Sequence, residues 1–139
     1  MTDDRNRGPE PAHDPEVLQL VSKVFELARH GDTDTLAAYV DAGVPANLTD
    51  DRGDSLLMLA AYHGHAAAVS ALLRRGADPN RGDESGRTPI AGATFRGEEE
   101  VLRVLLAGGA DPRAGSPSAV ETARMFGRRD LLALFGAAE

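Results

Sequence analysis

Residues 53–65 have the sequence GDSLLMLAAYHGH, and residues 86–98 have the sequence GRTPIAGATFRGE. The two stretches align at a shift of 33 residues, and the alignment continues downstream, where GADP at 76–79 matches GADP at 109–112. A fixed period of this length predicts a repeat protein, in which similar units stack in one row.

Glycines follow the same period along most of the chain. Two sets recur every 33 residues: Gly31, Gly64 and Gly97, and Gly43, Gly76 and Gly109. A fourth unit is shorter, because Gly127 comes only 30 residues after Gly97. The predicted units span about residues 14–49, 50–82, 83–115 and 116–139. Residues 1–13 are polar, with Gly and Pro, and we expect them to be a disordered tail.

Each unit has the pattern of two short helices, which is clearest in the third unit. Thr88 supplies an N-cap hydroxyl, Pro89 suits the first helical position, and Gly97 ends the predicted helix. Apolar residues within 101–106 then recur with helical spacing and predict a second helix. Gly92, inside the first helix, is expected to cost about 1 kcal/mol relative to alanine. Helices this short need neighbours, so stacking of the units must stabilise them.

The ends of the repeat region carry their own helix signals. Asp14 and Pro15 predict the start of a first helix, whose broad apolar face comprises Val17, Leu18, Leu20, Val21, Val24, Phe25 and Ala28. Near the other end, Ser118 and Glu121 have the spacing of a capping box, whereas Ser116-Pro117 offers a rival helix start. Both alternatives place a helix there, and the last apolar segment is expected to close the stack.

Three stretches match a known repeat most closely: AAYHGH at 60–65, LLRRGADPN at 72–80, and Thr88-Pro89 followed by Gly97. With these stretches the chain resembles the ankyrin-repeat family, whose 33-residue unit consists of a β-turn and two helices. The resemblance implies an all-α solenoid of helix-turn-helix units with β-turn tips, about four repeats including both caps. Met58 and Ala91 depart from the family pattern, because they stand where its signature histidine would be.

The composition narrows the possible functions. The chain has 139 residues, of which 42% are hydrophobic and 27% charged, as expected for one soluble domain. Its net charge of −7 opposes binding to nucleic acid or to an anionic membrane, because both require cationic side chains. Cysteine is absent, and we expect neither a signal peptide nor a membrane span. These features favour a cytoplasmic monomer without a cofactor.

The family resemblance implies a partner-binding surface on the concave face, at the β-turn tips and at the exposed ends of the first helices. The residues before the helix-ending glycines are Arg29, His30, Tyr62, His63, Phe95, Arg96, Met125 and Phe126. The tips add Arg52, Asp54 and Arg87. Neighbouring helices pack about 8 to 10 Å apart, so we expect these side chains to form one surface. Tyr, Phe, Met and Arg are enriched at protein interfaces, which predicts a protein partner.

Three alternatives stay open at the level of sequence. Tyr62 and Phe95 could pack between successive helices, with the basic residues merely solvated. The protein could be a stoichiometric inhibitor or immunity-type protein of an enzyme or toxin, with acidic tips that mimic an acidic substrate. A metal-dependent enzyme is the least favoured, because His30 and His63 have no third placed ligand and no catalytic motif is present. We therefore predict no catalytic, metal-binding or cofactor-binding residues.

Overall fold

The computed structural model describes residues 14–138, so the tail predicted at 1–13 lies outside the described residues. These residues form eight helices, joined in pairs: α1 (Pro15–His30), α2 (Thr33–Asp41), α3 (Leu56–Tyr62), α4 (Ala66–Arg74), α5 (Pro89–Arg96), α6 (Glu99–Ala107), α7 (Ala119–Met125) and α8 (Arg129–Leu134). We call the first helix of each pair inner and the second outer. Between residues 14 and 138 the only β-structure is a pair of isolated bridges, Thr49 with Ser55 and Gly115 with Ser118. The predicted all-α repeat architecture is confirmed.

The helices begin and end where the local sequence predicted. The Asp14 carboxylate accepts a hydrogen bond from the N–H of Glu16 at the start of α1, and the Thr88 hydroxyl accepts one from the N–H of Ala91 in α5. At the start of α7 the structure selects Ser118, because Ser118 and Glu121 form both bonds of a capping box. Gly97 ends α5 in the left-handed conformation, with φ of 72°, which glycine adopts without steric cost.

The units stack because inner helices pack on inner helices and outer helices on outer helices. Six consecutive residues of α3, 56–61, and six of α5, 89–94, are buried, since each helix is covered by its neighbours. The outer helix α6 buries only one face, formed by Val101, Leu102 and Leu105. Inner helices α3 and α5 therefore reach solvent mainly at their C-terminal ends.

Two asparagines connect successive units. The Asn47 side chain donates to the carbonyl oxygen of Gly76 at 3.2 Å and accepts from the N–H of Asp78 at 2.7 Å. Asn80 makes the same two bonds to the next unit, at 3.2 and 2.7 Å. These repeated bonds fix the distance from one unit to the next, so the side chains that follow each inner helix are held in register.

The apolar face predicted for α1 is too broad. Leu18 is 50% exposed and Leu20 is 39% exposed, and burial in α1 begins only at Val24. The reason is the length of the neighbour: α1 has 16 residues, whereas α3, which packs against it, has 7. The first turns of α1 therefore extend beyond the stack and have no inner helix to cover them.

Met58, which replaces the signature histidine of the family, faces Gly92 between α3 and α5. A β-carbon added at Gly92 would lie 3.2 Å from the Met58 sulfur and 3.6 Å from the Tyr62 ring. The missing side chain at Gly92 thus makes room for the methionine in the preceding unit. Because both helices are buried here, the pair sets how closely the second and third units approach.

Candidate functional site

We call the residues at the C-terminal ends of the inner helices the helix-end row: Arg29, His30, Tyr62, His63, Phe95, Arg96, Met125 and Phe126. Phe95 is 53% exposed, Phe126 52% and Met125 70%, although most of the preceding residues of α5 and α7 are buried. Tyr62 is half-buried. Large apolar groups thus reach solvent where the buried part of each inner helix ends.

Direct ring contacts connect the row from the second unit to the fourth. The Arg96 guanidinium lies 5.0 Å from the centroid of the Tyr62 ring, within the range of a cation–π interaction. Phe95 and Phe126 meet edge to face, with centroids 5.6 Å apart. Arg87, from the turn before α5, reaches over Phe95 at 6.0 Å. Four of these five residues belong to the helix-end row, and the fifth, Arg87, is a predicted tip residue.

The β-turn tips beside the row are organised by aspartates. In the second-unit tip, residues 50–54, one Asp50 oxygen accepts hydrogen bonds from the N–H groups of Arg52 and Asp54, both at 2.9 Å. In the third-unit tip, residues 83–87, Asp83 accepts from Ser85 and Arg87 in the same way. The Glu84 N–H donates to the Arg52 carbonyl oxygen at 3.2 Å and joins the tips.

A cleft of about 690 Å³ lies between α1, α3 and these tips. Its apolar lining comprises Leu18, Val21, Phe25, Met58, Leu59 and Tyr62. Its charged lining comprises Arg29, Arg52, His63 and Arg87, together with Asp50, Asp51, Asp54 and Asp83. The cleft is therefore lined by apolar residues and by side chains of both charges, and it shares Arg29, Tyr62 and His63 with the helix-end row.

His63 lies in a positive environment within the row. Partial burial lowers the pKa of His63, and the nearby charges of His65, Arg96, Arg29 and His30 lower it further. His65 itself has a structural contact, because its Nε2–H donates to the carbonyl oxygen of Arg29 at 2.7 Å. Arg29 of the first unit and Arg96 of the third unit thus lie near His63 of the second.

Asp54 and Asp83, one from each tip, interact and shift each other's pKa. Burial raises the pKa of Asp54 to about 6, and a side-chain hydrogen bond with Asp83 and the charge of Asp50 act in the same direction. Burial alone would raise the pKa of Asp83 as well, but hydrogen bonds from Ser85, Arg87 and Asp54 outweigh it and lower that pKa. Asp54 is therefore half-buried between two units and is not a free rim residue.

Sequence reasoning missed the cleft, although it found most of its charged rim. Leu18 and Phe25 belong to the predicted apolar face of α1, but the pattern did not show that this face continues into a cleft. Met58 also lines the cleft, and the sequence feature that singled it out was its place at the position of the signature histidine. The predicted tip residues Arg52 and Arg87 are exposed at the rim.

Within residues 14–138, no group of three His, Asp or Glu side chains is arranged so that it could hold a metal ion. Over the same residues, no helix is both long and apolar enough to span a membrane.

Comparison with known proteins gives two matches. A sequence model described as ankyrin repeats, in three copies, matches residues 24–115. A protein of Pseudomonas aeruginosa, whose name assigns it provisionally to the ankyrin repeat proteins, is 44% identical over 62 residues. This match covers 45% of the present chain and 34% of the relative, so it spans about a third of the relative's length.

Proposed function

Because the chain belongs to the ankyrin-repeat family, we propose that it binds a partner protein through the concave face formed by the helix-end row and the adjoining cleft. Ankyrin repeats are generally protein–protein interaction modules. In this proposal the chain has no catalytic activity and no cofactor. The protein is a cytoplasmic monomer that does not bind nucleic acid or membrane.

The exposed rings of the helix-end row are the observation that supports this proposal most directly. Phe95, Met125 and Phe126 are each at least half exposed, whereas residues 56–61 of α3 and 89–94 of α5 are buried. Apolar surface left in water costs about 25 cal/mol per Å², so a partner that covers these groups gains binding free energy. Aromatic residues and arginine are also the types most often found as binding hot spots. Packing between units half-buries Tyr62, whereas Phe95 stays 53% exposed although its ring contacts Phe126 of the next unit.

A stoichiometric inhibitor that mimics an acidic substrate is the second candidate. Its acidic tips are less available than the sequence indicated, because Asp50 and Asp83 hold the N–H groups of their own turns and Asp54 bonds to Asp83. The exposed side chains of Asp51 and Glu84 are what remains for such mimicry. Loss of a captured enzyme's activity on stoichiometric addition would support this candidate, and full activity in the complex would reject it.

Affinity capture with matched variants tests the proposed surface. The test variant replaces Tyr62, Phe95 and Arg96 with alanine. The control variant replaces three exposed outer-helix residues, Arg74, Glu100 and Arg103, with alanine. We expect the intact protein and the control to capture the same partner and the test variant to lose it, while circular dichroism and melting show that all three are folded. Capture by the test variant at the intact level would place the binding surface elsewhere.

A further inference from the structure

Four arginines lie beside the proposed binding surface: Arg29, Arg52, Arg87 and Arg96. Among residues 14–138, no ion pair and no side-chain hydrogen bond involves their guanidinium groups. Elsewhere Arg75 pairs with Asp41 at 2.9 Å, Arg103 with Glu99 at 3.0 Å and Arg128 with Asp130 at 2.9 Å, whereas Arg74, Arg81 and Arg113 have no such pair within the described residues. The four arginines are therefore distinguished by lying together around one surface.

Helix dipoles explain only part of this arrangement. Arg29 and Arg96 lie in the last turns of α1 and α5, where a positive charge stabilises the helix. Arg52 and Arg87 lie in the β-turn tips, outside any helix, so the dipole gives no reason for their position. All four arginines surround the same surface: three line the cleft, and Arg96 covers the Tyr62 ring at its edge.

The net charge of the molecule does not prevent an anion from binding there. At physiological salt the Debye length is about 8 Å, so remote carboxylates act weakly at this surface. The cleft is lined by Arg29, Arg52 and Arg87 together with four aspartates, Asp50, Asp51, Asp54 and Asp83, and Arg96 lies at its edge over Tyr62. At the end of the cleft near His63, burial lowers the pKa of His63 most, and the nearby charges of His65, Arg96, Arg29 and His30 lower it further. On the tip side, the aspartates are engaged in their turns and have Arg52 and Arg87 beside them.

From these contacts we infer that the partner presents an acidic segment of polypeptide, in which carboxylates flank at least one large apolar side chain. The apolar side chain enters the cleft against Phe25 and Met58, and the carboxylates bind Arg29 and Arg96. Arginine suits this role because its planar guanidinium can bind a carboxylate through two parallel hydrogen bonds. The inference rests on the proposed function and adds the chemistry of the partner to it.

Nucleic acid also carries anions, but it fits these features less well. Its phosphates would find only a few unpaired cations, whereas a long-range attraction would require a positive protein. The apolar residues that line the cleft offer phosphate no partner, whereas they can contact an apolar side chain. An acidic peptide uses both the cations and the apolar lining.

Two displayed peptide libraries provide the test. In one library, positions vary among Asp, Glu, Leu, Phe, Gly and Ser, and in the matched library Lys and Arg replace Asp and Glu. We expect selection on the intact protein to enrich the acidic library in peptides that contain Leu or Phe. The affinity of a selected peptide, measured by fluorescence anisotropy, should fall at least about tenfold in Arg96→Glu and in Arg29→Glu.

Arg74→Glu is the matched control. Like Arg96, Arg74 is an exposed arginine in the last turn of its helix, so its replacement causes the same change in net charge and in helix-dipole interaction. We expect it to leave the affinity unchanged, and melting curves check that each variant is folded. Equal loss in Arg74→Glu, enrichment of the basic library alone, or no enrichment at all would overturn the inference. So would a single-stranded oligonucleotide that competes as strongly as the selected peptide.

The outcomes separate this inference from the proposed function. If the captured partner needs Tyr62, Phe95 and Arg96 but contacts them with basic side chains, the inference fails and the proposed function stands. If capture does not need that surface, the proposed function fails and the inference fails with it.

Discussion

Asp54 and Asp83 bring two carboxyl groups together where the tips of the second and third units meet, and this contact makes stability depend on pH. The pKa of Asp54 rises from 3.8 to about 6, because of burial, the hydrogen bond with Asp83 and the charge of Asp50. The native state therefore holds this proton more tightly than the unfolded chain does. Between these pH values the native state binds more protons, so the free energy of unfolding falls as the pH rises from about 4 to above 6.

In Asp54→Asn the free energy of unfolding should no longer fall over this pH range, because asparagine has no proton to lose. The asparagine side chain also keeps an N–H donor for Asp83. A pKa rise of this size corresponds to at most about 3 kcal/mol. Asp54 is partly exposed, and solvent screening reduces the contribution to about 1 kcal/mol. Between about pH 4 and pH 7.5 we therefore expect the free energy of unfolding of the variant to rise by about 1 kcal/mol relative to that of the native sequence. This corresponds to about 4 °C in melting temperature.

Thermal and urea unfolding at several pH values measures this difference. Asp51→Asn is the control, because Asp51 is an exposed carboxylate in the same tip and its replacement changes the net charge equally. The control should differ from the native protein by a nearly constant amount across the pH range. Parallel pH profiles for Asp54→Asn and the native protein would refute the shared proton between the tips, as would a profile of Asp51→Asn that matches that of Asp54→Asn.

Four further predictions concern global or local stability. Gly92→Ala should raise the melting temperature, because a glycine inside a helix costs about 1 kcal/mol relative to alanine and the Met58 sulfur can shift into the cleft. A lower melting temperature would show that the methionine cannot move. Gly115→Ala should lower it, because φ is +89° and the added carbon would lie 2.8 Å from the backbone oxygen of Gly86 in the third-unit tip. Asn47→Ala removes two bonds between units and should cost about 1 to 2 kcal/mol in urea unfolding, and unchanged stability would contradict the role assigned to those bonds. His65→Ala should speed amide exchange in the last turn of α1, whose carbonyl it caps, whereas unaltered exchange would make that bond dispensable.

Local signals explain why so much of the fold was predictable. The caps at Asp14, Thr88 and Ser118 act within three residues, so the sequence around each helix start contains the interaction that defines it. The 33-residue period adds the stacking, because each unit must bury the same apolar positions against its neighbour. The helix-end residues follow from the same period, and ring contacts at Tyr62 and Phe95 do connect successive units.

The properties that depend on two units at once were not predictable. Leu18 is exposed because the helix beside α1 is short, which the sequence of α1 does not show. The pair of Asp54 and Asp83 forms only when neighbouring tips touch. A sequence gives the types of these residues but not the distances between them.

Amide chemical shifts of the isotope-labelled protein, recorded with and without the captured partner, test the proposed binding surface most directly. We predict that the largest changes fall on the helix-end row and the cleft, with Tyr62, His63, Phe95 and Arg96 among them. Changes confined to the outer helices α2, α4 and α6 would contradict the binding surface proposed for this protein.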